Sequence, residues 1–166
     1  DVIASNSIYD PGMGTHTMLQ QVVADELGVP IGRIRIVPYN TDDVPFDMGV
    51  GGSWGSYVVP QTAFEAADEV RTRLRHLAAE LEGWDEEIVA YEDGHLVNTR
   101  TSQRIPMEQI VDRFGEPITG HGHVQDMAPN PHTSFVAQAA EVSVDPESGE
   151  LKVLRITAVH DTAGVI

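Results

Sequence analysis

Apolar and polar positions in the first forty residues follow two different periods. Residues 2–8 form an apolar run that predicts a strand, and residues 34–37 predict a second one. Between them, apolar side chains recur at i, i+3, i+4 and i+8, which predicts one face of a helix: Leu19, Val22, Val23 and Leu27. Gly28 and Pro30 follow as stop signals. The pattern therefore predicts a strand, a glycine-rich turn, a helix and a strand.

A longer helical stripe begins after a second glycine-rich stretch. Glu69 and Arg73 lie on its polar side at i and i+4, where opposite charges stabilise a helix. Gly83 is predicted to end it. The apolar stripe is rich in small residues, which indicates close packing on a neighbouring element: Ala63, Ala66, Ala67, Val70, Leu74, Leu77, Ala78 and Leu81.

The second half of the chain predicts two hairpins and a short helix. Residues 87–98 read as a hairpin with its turn at Asp93 and Gly94. Pro106 and Gly115 bracket a short amphipathic helix. Two long strands, residues 135–144 and 151–161, flank a turn-rich connector. We therefore expect an α+β fold with three helices and a mixed sheet of about six strands.

Both glycine-rich turns lead into a helix N-terminus. Residues 10–17 (DPGMGTHT) precede the first helix, with Thr15 as its predicted N-cap, and residues 49–56 (GVGGSWGS) precede the second. We expect free N–H groups at these helix starts, so that the two turns could cradle one extended anion such as a pyrophosphate. The alternative is two ordinary turns in which glycine supplies positive φ. No lysine follows either turn, so a P-loop is not predicted.

Composition excludes several classes of function. The 166 residues contain 41% hydrophobic residues, enough for a core, and 10 Lys and Arg against 26 Asp and Glu give a net charge of −16. Such a charge argues against nucleic acid and anionic membrane surfaces as partners, because phosphate groups require a basic face. The chain contains no cysteine, which excludes disulfides, zinc–thiolate sites and iron–sulfur ligation within it. We expect a cytoplasmic protein and, because both ends interrupt apparent structure, a fragment of a longer polypeptide.

Two clusters of potential metal ligands are weaker candidates. His121, His123 and His132 lie in a stretch rich in Gly, Pro and Asn, where neutral imidazoles could bind zinc, copper or nickel. Asp42, Asp43 and Asp47 could bind a hard cation, but their spacing is not that of an EF-hand. For both clusters solvent-exposed loop residues are the simpler interpretation, and we predict neither a metal site nor a catalytic residue.

Four segments, in order, resemble the molybdopterin-binding large subunits of the xanthine dehydrogenase and aldehyde oxidase family. Residues 10–17 resemble that family's D-x-G-Q-G-x-x-T turn, and residues 40–45 (NTDDVP) its D-T-D-x-x-P segment. Residues 51–53 resemble its G-G-S-R loop before an Ala-rich helix. Residues 141–150 (EVSVDPESGE), continuing to His160 and Asp161, resemble its E-V-x-V-D-P-x-T-G-E strand pair.

The resemblance implies that residues 1–166 are part of a molybdopterin cofactor-binding domain. In this family a pterin dithiolene holds the molybdenum, the phosphate or dinucleotide tail lies in Gly-rich loops, and heterocycles or aldehydes are hydroxylated with oxygen from water. Partners are the rest of the large subunit and iron–sulfur and flavin subunits or domains. The implied cofactor-binding residues are Gly12, Met13, Gly14, Thr15, Gly51, Gly52, Ser53, Trp54, Gly55 and Ser56.

The chain departs from the family pattern where polar contacts are expected. The family's glutamine in the first turn is Met13, which has no amide to donate, and the arginine after Gly-Gly-Ser is Trp54. Pro60 stands where the family usually has glycine. The chain also ends before the family's catalytic glutamate, so we expect the isolated chain to be inactive and to bind the cofactor weakly or not at all. The alternative is a non-catalytic binding or assembly module of the same fold, and self-association stays open.

Overall fold

The computed structural model describes residues 1–37, 40, 42, 44, 46–47, 49–124 and 135–161. The chain divides into two compact units, Asp1–Gln125 and Asp126–Ile166. Seven strands and three α-helices occur in the described residues. No helix in this part of the chain is long and apolar enough to cross a membrane.

The first unit begins with the predicted strand–turn–helix–strand. β1 (Val2–Ser5) pairs in parallel with β2 (Ile34–Val37), and α1 (Thr15–Leu27) connects them. The predicted end of α1 is confirmed, because Gly28 adopts φ 57° and its N–H bonds to carbonyls of the last turn. β1 is shorter than the predicted residues 2–8. Ile8 lies outside the strand yet is buried in the core.

α2 (Trp54–Glu82) is the longest element and is shared by two hydrophobic clusters. Its first half packs with α1, β1 and β2 through small side chains such as Ala63 and Ala67. Its second half packs through Leu74 and Ala78 on the next layer. The predicted Glu69–Arg73 pair is present at 2.8 Å, and Gly83 ends the helix as expected.

The layer on the second half of α2 is a three-stranded antiparallel sheet with a short helix. It consists of β3 (Val89–Glu92), β4 (His95–Asn98), β5 (Arg104–Pro106) and α3 (Met107–Phe114). Asp93 and Gly94 form the predicted tight turn, both with positive φ. The expected single mixed sheet of about six strands is wrong for the described residues: their seven strands form three separate sheets of two, three and two strands. The unpredicted strand is β5, whose three residues are too few for a periodic pattern.

The second unit contains the predicted hairpin of β6 (Phe135–Val144) and β7 (Leu151–Asp161). Asp145 closes its connector, accepting from the N–H groups of Glu147 at 2.8 Å and Ser148 at 3.0 Å. These bonds hold the pKa of the Asp145 carboxyl below its usual value. The register shifts between Glu141 and Val142, which marks a β-bulge.

Candidate functional site

The first glycine-rich turn is organised by one carboxylate. Oδ1 of Asp10 accepts hydrogen bonds from the backbone N–H groups of Gly12 at 2.9 Å, Met13 at 3.0 Å and Gly14 at 3.2 Å. Oδ2 accepts from the N–H of His16 at 3.3 Å. The turn can wrap around the side chain in this way because Gly12 and Gly14 adopt φ 99° and 77°, which glycine reaches without strain.

This arrangement corrects two predictions about the start of α1. The N-cap is Gly14, not Thr15, and Thr15 is the first helical residue and is buried. The N–H groups of Gly12, Met13, Gly14 and His16 are not free, because the Asp10 carboxylate accepts from all of them. These bonds, that from Gly12 foremost, hold the pKa of Asp10 below its ordinary value of 3.8.

Two further side chains define the surface of the first turn. The His16 ring lies with Nε2 3.0 Å from the carbonyl oxygen of Ile8. A carbonyl oxygen can only accept, so Nε2 carries the proton in this bond. Met13 has 62% of its surface exposed, so the turn presents a thioether to solvent where the related motif has an amide.

The second turn forms a 3-10 helix, Gly51–Ser53, that runs directly into α2. Ser53 is the N-cap with φ 65°, a left-handed conformation that costs a non-glycine residue about 1–2 kcal/mol. Its hydroxyl makes no capping bond to the helix. Trp54 and Tyr57 stack at a tilt with ring centroids 6.5 Å apart, which places an aromatic pair at the first turn of α2.

The structure brings the two turns together. A Cβ built on Gly55 would lie 3.3 Å from Val50 Cγ1 and 3.8 Å from Thr15 Cγ2, so the start of α1 packs on the start of α2. One built on Gly49 would lie 3.6 Å from Tyr9 Cε1. At the far end of α1, Arg71 Nη1 of α2 donates to the Glu26 carbonyl at 3.0 Å and to its carboxylate at 2.5 Å. The helices therefore run in the same direction, and their N-termini lie side by side.

Positive charge near these turns comes from the backbone and not from cationic side chains. No lysine or arginine occurs in residues 1–32 or 36–70. Each helix start carries the equivalent of about half a positive charge. An anion bound here by this chain would therefore be held by N–H groups and helix dipoles.

The histidine and aspartate clusters of the sequence lie only partly within the described residues. In the part of the chain that the structure describes, no three His, Asp or Glu side chains are grouped to hold a metal ion. His121 and His123 lie on an exposed segment along α2, while His132 and Asp43 lie outside the described residues. Asp47 instead accepts from the N–H of Gly49 at 2.6 Å.

A cleft of about 660 Å³ lies away from the paired helix starts. It is bounded by the C-terminal end of α1, the middle of α2 and the β3–β4 hairpin. Asp25 of α1 lines it, ten residues and thus about 15 Å of helix beyond Thr15. Its lining is predominantly charged: Asp25, Glu26, Gly28, Asp68, Arg71, Thr72, Arg75, Val89, Ala90, Tyr91, Glu92 and Asp93.

Sequence reasoning missed the roles of Asp10 and Val50. Asp10 was part of the recognised motif, but its bonds to the turn were not predicted. An Asp two residues before a glycine is a common Asx-turn signal, and it could have been used. Val50, which contacts the position of Gly55, carried no signal, because one apolar residue among glycines has no periodicity.

A helix start with accessible backbone N–H groups can bind an anionic group, and this domain has two helix starts side by side. The sequence model of the molybdopterin cofactor-binding domain matches residues 1–166, the whole chain. The chain belongs to this family. The resemblance inferred from the four ordered segments is therefore confirmed.

Relatives of the chain include the molybdenum-binding subunit of one enzyme and the large chain of another. It is 27% identical over 167 residues to the aldehyde oxidoreductase molybdenum-binding subunit PaoC of Escherichia coli K12, covering 95% of this chain and 21% of the relative. It is 28% identical over 167 residues to the carbon monoxide dehydrogenase large chain of Hydrogenophaga pseudoflava, covering 96% and 21%. The chain thus spans about a fifth of the length of these relatives.

Solved structures share the fold. A crystal structure of the Cu,Mo-CO dehydrogenase superposes with a TM-score of 0.80 at 22% identity, over 95% of this chain and 21% of that one. Quinoline 2-oxidoreductase from Pseudomonas putida 86 gives 0.74 at 24% identity, over 95% and 21%.

Proposed function

We propose that this chain forms part of the cofactor-binding region of a molybdenum-dependent hydroxylase or dehydrogenase, and that the pterin cofactor approaches the adjoining starts of α1 and α2. The whole enzyme would hydroxylate a heterocycle or an aldehyde with oxygen from water. It would work with the rest of its large subunit and with iron–sulfur and flavin partners in the cytoplasm. Bound, the cofactor would supply the oxidation–reduction chemistry.

The contact between the starts of α1 and α2 carries this proposal. The two motifs that resemble the family's cofactor loops are 40 residues apart in sequence, yet Thr15 and Gly55 pack together. Adjoining glycine-rich turns let a ligand approach the backbone closely, and the helix dipole at the start of α2 favours a phosphate or pyrophosphate group.

The side chains here fit a ligand held largely through backbone and apolar contacts. Met13 is exposed, and Trp54 lies at the first turn of α2. A thioether and an indole can pack on a flat heterocycle, but only the indole N–H can donate a hydrogen bond. We infer that this chain binds the cofactor with fewer polar contacts than a chain that carries glutamine and arginine at these positions.

Elemental analysis of the full-length protein tests the proposal. We expect molybdenum and the phosphorus of the pterin in a fixed ratio to each other, but at less than one equivalent per polypeptide, because the site offers few polar contacts. The variants Met13→Gln and Trp54→Arg should raise the molybdenum content, because each restores a polar contact. Ile31→Gln is the matched control, since Ile31 is also exposed but lies beyond the C-terminal end of α1.

A non-catalytic module of the same fold is the second candidate, and Met13 and Trp54 motivate it. This candidate predicts a complete, folded protein that contains neither molybdenum nor pterin. Neither Met13→Gln nor Trp54→Arg should then raise its molybdenum content. Fluorescence separates the two candidates independently. The chain has two tryptophans, so Trp84→Phe leaves Trp54 as this chain's only reporter. Tryptophans elsewhere in a longer polypeptide would also fluoresce. A matched variant that also carries Trp54→Phe measures their signal, which is then subtracted. A pterin bound at the helix starts should quench the Trp54 signal.

A further inference from the structure

The first turn has the geometry of an anion cradle, but the protein supplies the anion itself. Gly12, Met13 and Gly14 direct consecutive N–H groups at Asp10 Oδ1, and the N–H of His16 reaches Oδ2. Consecutive N–H groups around one oxygen are the arrangement with which proteins bind phosphate. The Asp10 carboxylate thus engages all four donors, which lie at most six residues from it in sequence.

Charge reinforces this occupancy. The carboxylate carries a full negative charge, whereas the start of α1 contributes about half a positive charge, so the first turn has a net negative charge. At the start of α2, by contrast, Ser53 makes no capping bond. The two adjoining turns are therefore electrostatically different, although their sequences look alike.

We propose that Asp10 is the resident anion of the first turn: it shapes the turn, excludes a ligand's phosphate from its N–H groups, and so directs any anionic group at this site toward the start of α2. Asp10 is a positioning residue. It acts on the ligand through the turn, which then presents the side chain of Met13 and not an empty phosphate cradle. For the identity of the phosphate-bearing ligand, this inference rests on the proposed function.

Inorganic phosphate is the probe that tests it, with the full-length protein purified free of cofactor. The variant Asp10→Ala empties the cradle, and Asp10→Asn keeps an acceptor oxygen while removing the charge. Phosphate binding is followed by broadening of the ³¹P resonance, with chloride at equal ionic strength as the control. We expect saturable binding by Asp10→Ala that is at least about tenfold tighter than by the wild type, or about 1.4 kcal/mol. Asp10→Asn should resemble the wild type, because its cradle stays filled.

Hydrogen exchange in the wild type keeps the test valid if Asp10→Ala fails to fold. The amides of Gly12, Met13 and Gly14 should be protected without phosphate, and added phosphate should not change their protection. Equal phosphate affinity in the wild type and Asp10→Ala, or wild-type amides that gain protection from phosphate, would overturn the inference. The phosphate and exchange measurements need no molybdenum. If elemental analysis finds no cofactor in the protein as isolated, the proposed function fails, but the role of Asp10 can still be tested.

Discussion

Gly28, the residue after α1, lies directly against the β3–β4 turn. A Cβ added there would overlap Asp93 Cα and lie 2.7 Å from Asp93 C, both backbone atoms that cannot rotate away. Its φ of 57° adds the left-handed penalty of a side chain. Tyr91 also connects β3 to the end of α1, because its hydroxyl donates to the Leu27 carbonyl at 2.8 Å. Burial raises the pKa of that hydroxyl to about 12.

We therefore expect Gly28→Ala to lower the free energy of unfolding by about 2–5 kcal/mol, the sum of backbone strain and overpacking. Gly83→Ala is the matched control, because Gly83 ends α2 with φ 67° but has nothing within 4 Å of a built Cβ. It should lose only about 1–2 kcal/mol. Chemical denaturation measures both, and equal losses would show that the contact with Asp93 does not matter.

Single residues also show what a sequence can and cannot predict. Gly28, Gly83 and Gly115 were identified as helix ends because glycine has one common use after an apolar stripe. Ser53 has the same left-handed conformation, yet the sequence gives no sign of it, because this conformation is uncommon for serine. The bonds of Asp10 depend on a turn geometry that the letters DPGMG permit but do not specify.

At the scale of elements, residues 120–123 form a strap along α2 that no periodicity predicted. The N–H of His121 donates to Glu69 Oε2 at 2.8 Å and that of His123 to Glu65 Oε2 at 2.9 Å. Two extended residues advance about 6.6 Å, and one helical step of four residues advances about 6 Å, so the two spacings match. The alternation Gly-His-Gly-His thus turns its glycines toward the helix and its histidines outward.

Replacing a strap glycine should lift the strap. A Cβ on Gly122 would overlap the Thr62 carbonyl oxygen and lie 2.6 Å from Thr62 C, and one on Gly120 would overlap the Ala66 carbonyl oxygen. We expect Gly122→Ala to expose residues 118–124 to limited proteolysis while α2 stays folded. Gly32→Ala is the control, because a Cβ there meets nothing within 4 Å. A strap that stays protease-resistant in Gly122→Ala contradicts this packing.

The strap also predicts a dependence on pH. The bond from His121, with a further contribution from Arg73, holds the pKa of Glu69 below its ordinary value of 4.5. A carboxylate with a lowered pKa stabilises the fold above its unfolded pKa and ceases to do so as the pH falls through its folded pKa. We expect the protection factor of the His121 amide to be constant above pH 4.5 and to fall below it. In Glu69→Gln, which keeps an acceptor and cannot titrate, this amide's protection should not fall with pH; a parallel fall would exclude Glu69 as the cause.

For the whole first unit, α2 joins two hydrophobic clusters. Val59 and Ala63 pack in the cluster beside the paired helix starts, whereas Leu74 packs with β3, β4, β5 and α3. The sequence predicted the helix that joins them but not the division into separate sheets. Alternation identifies a strand without its partner, and pairing depends on contacts between residues far apart in the chain.

This division predicts that stability and cofactor content can be changed separately. Leu96 is fully buried in the second core, so Leu96→Ala should lower the free energy of unfolding by about 2–5 kcal/mol. The molybdenum content of the folded protein should nevertheless stay at the wild-type level, because the helix starts lie in the other cluster. Gly55→Val should do the reverse. Its side chain would press on Val50 and Thr15 and separate the two turns, at a cost of about 1–3 kcal/mol but with most of the molybdenum lost. If molybdenum instead followed stability in both variants, the contact between the helix starts would have no special part in holding the cofactor.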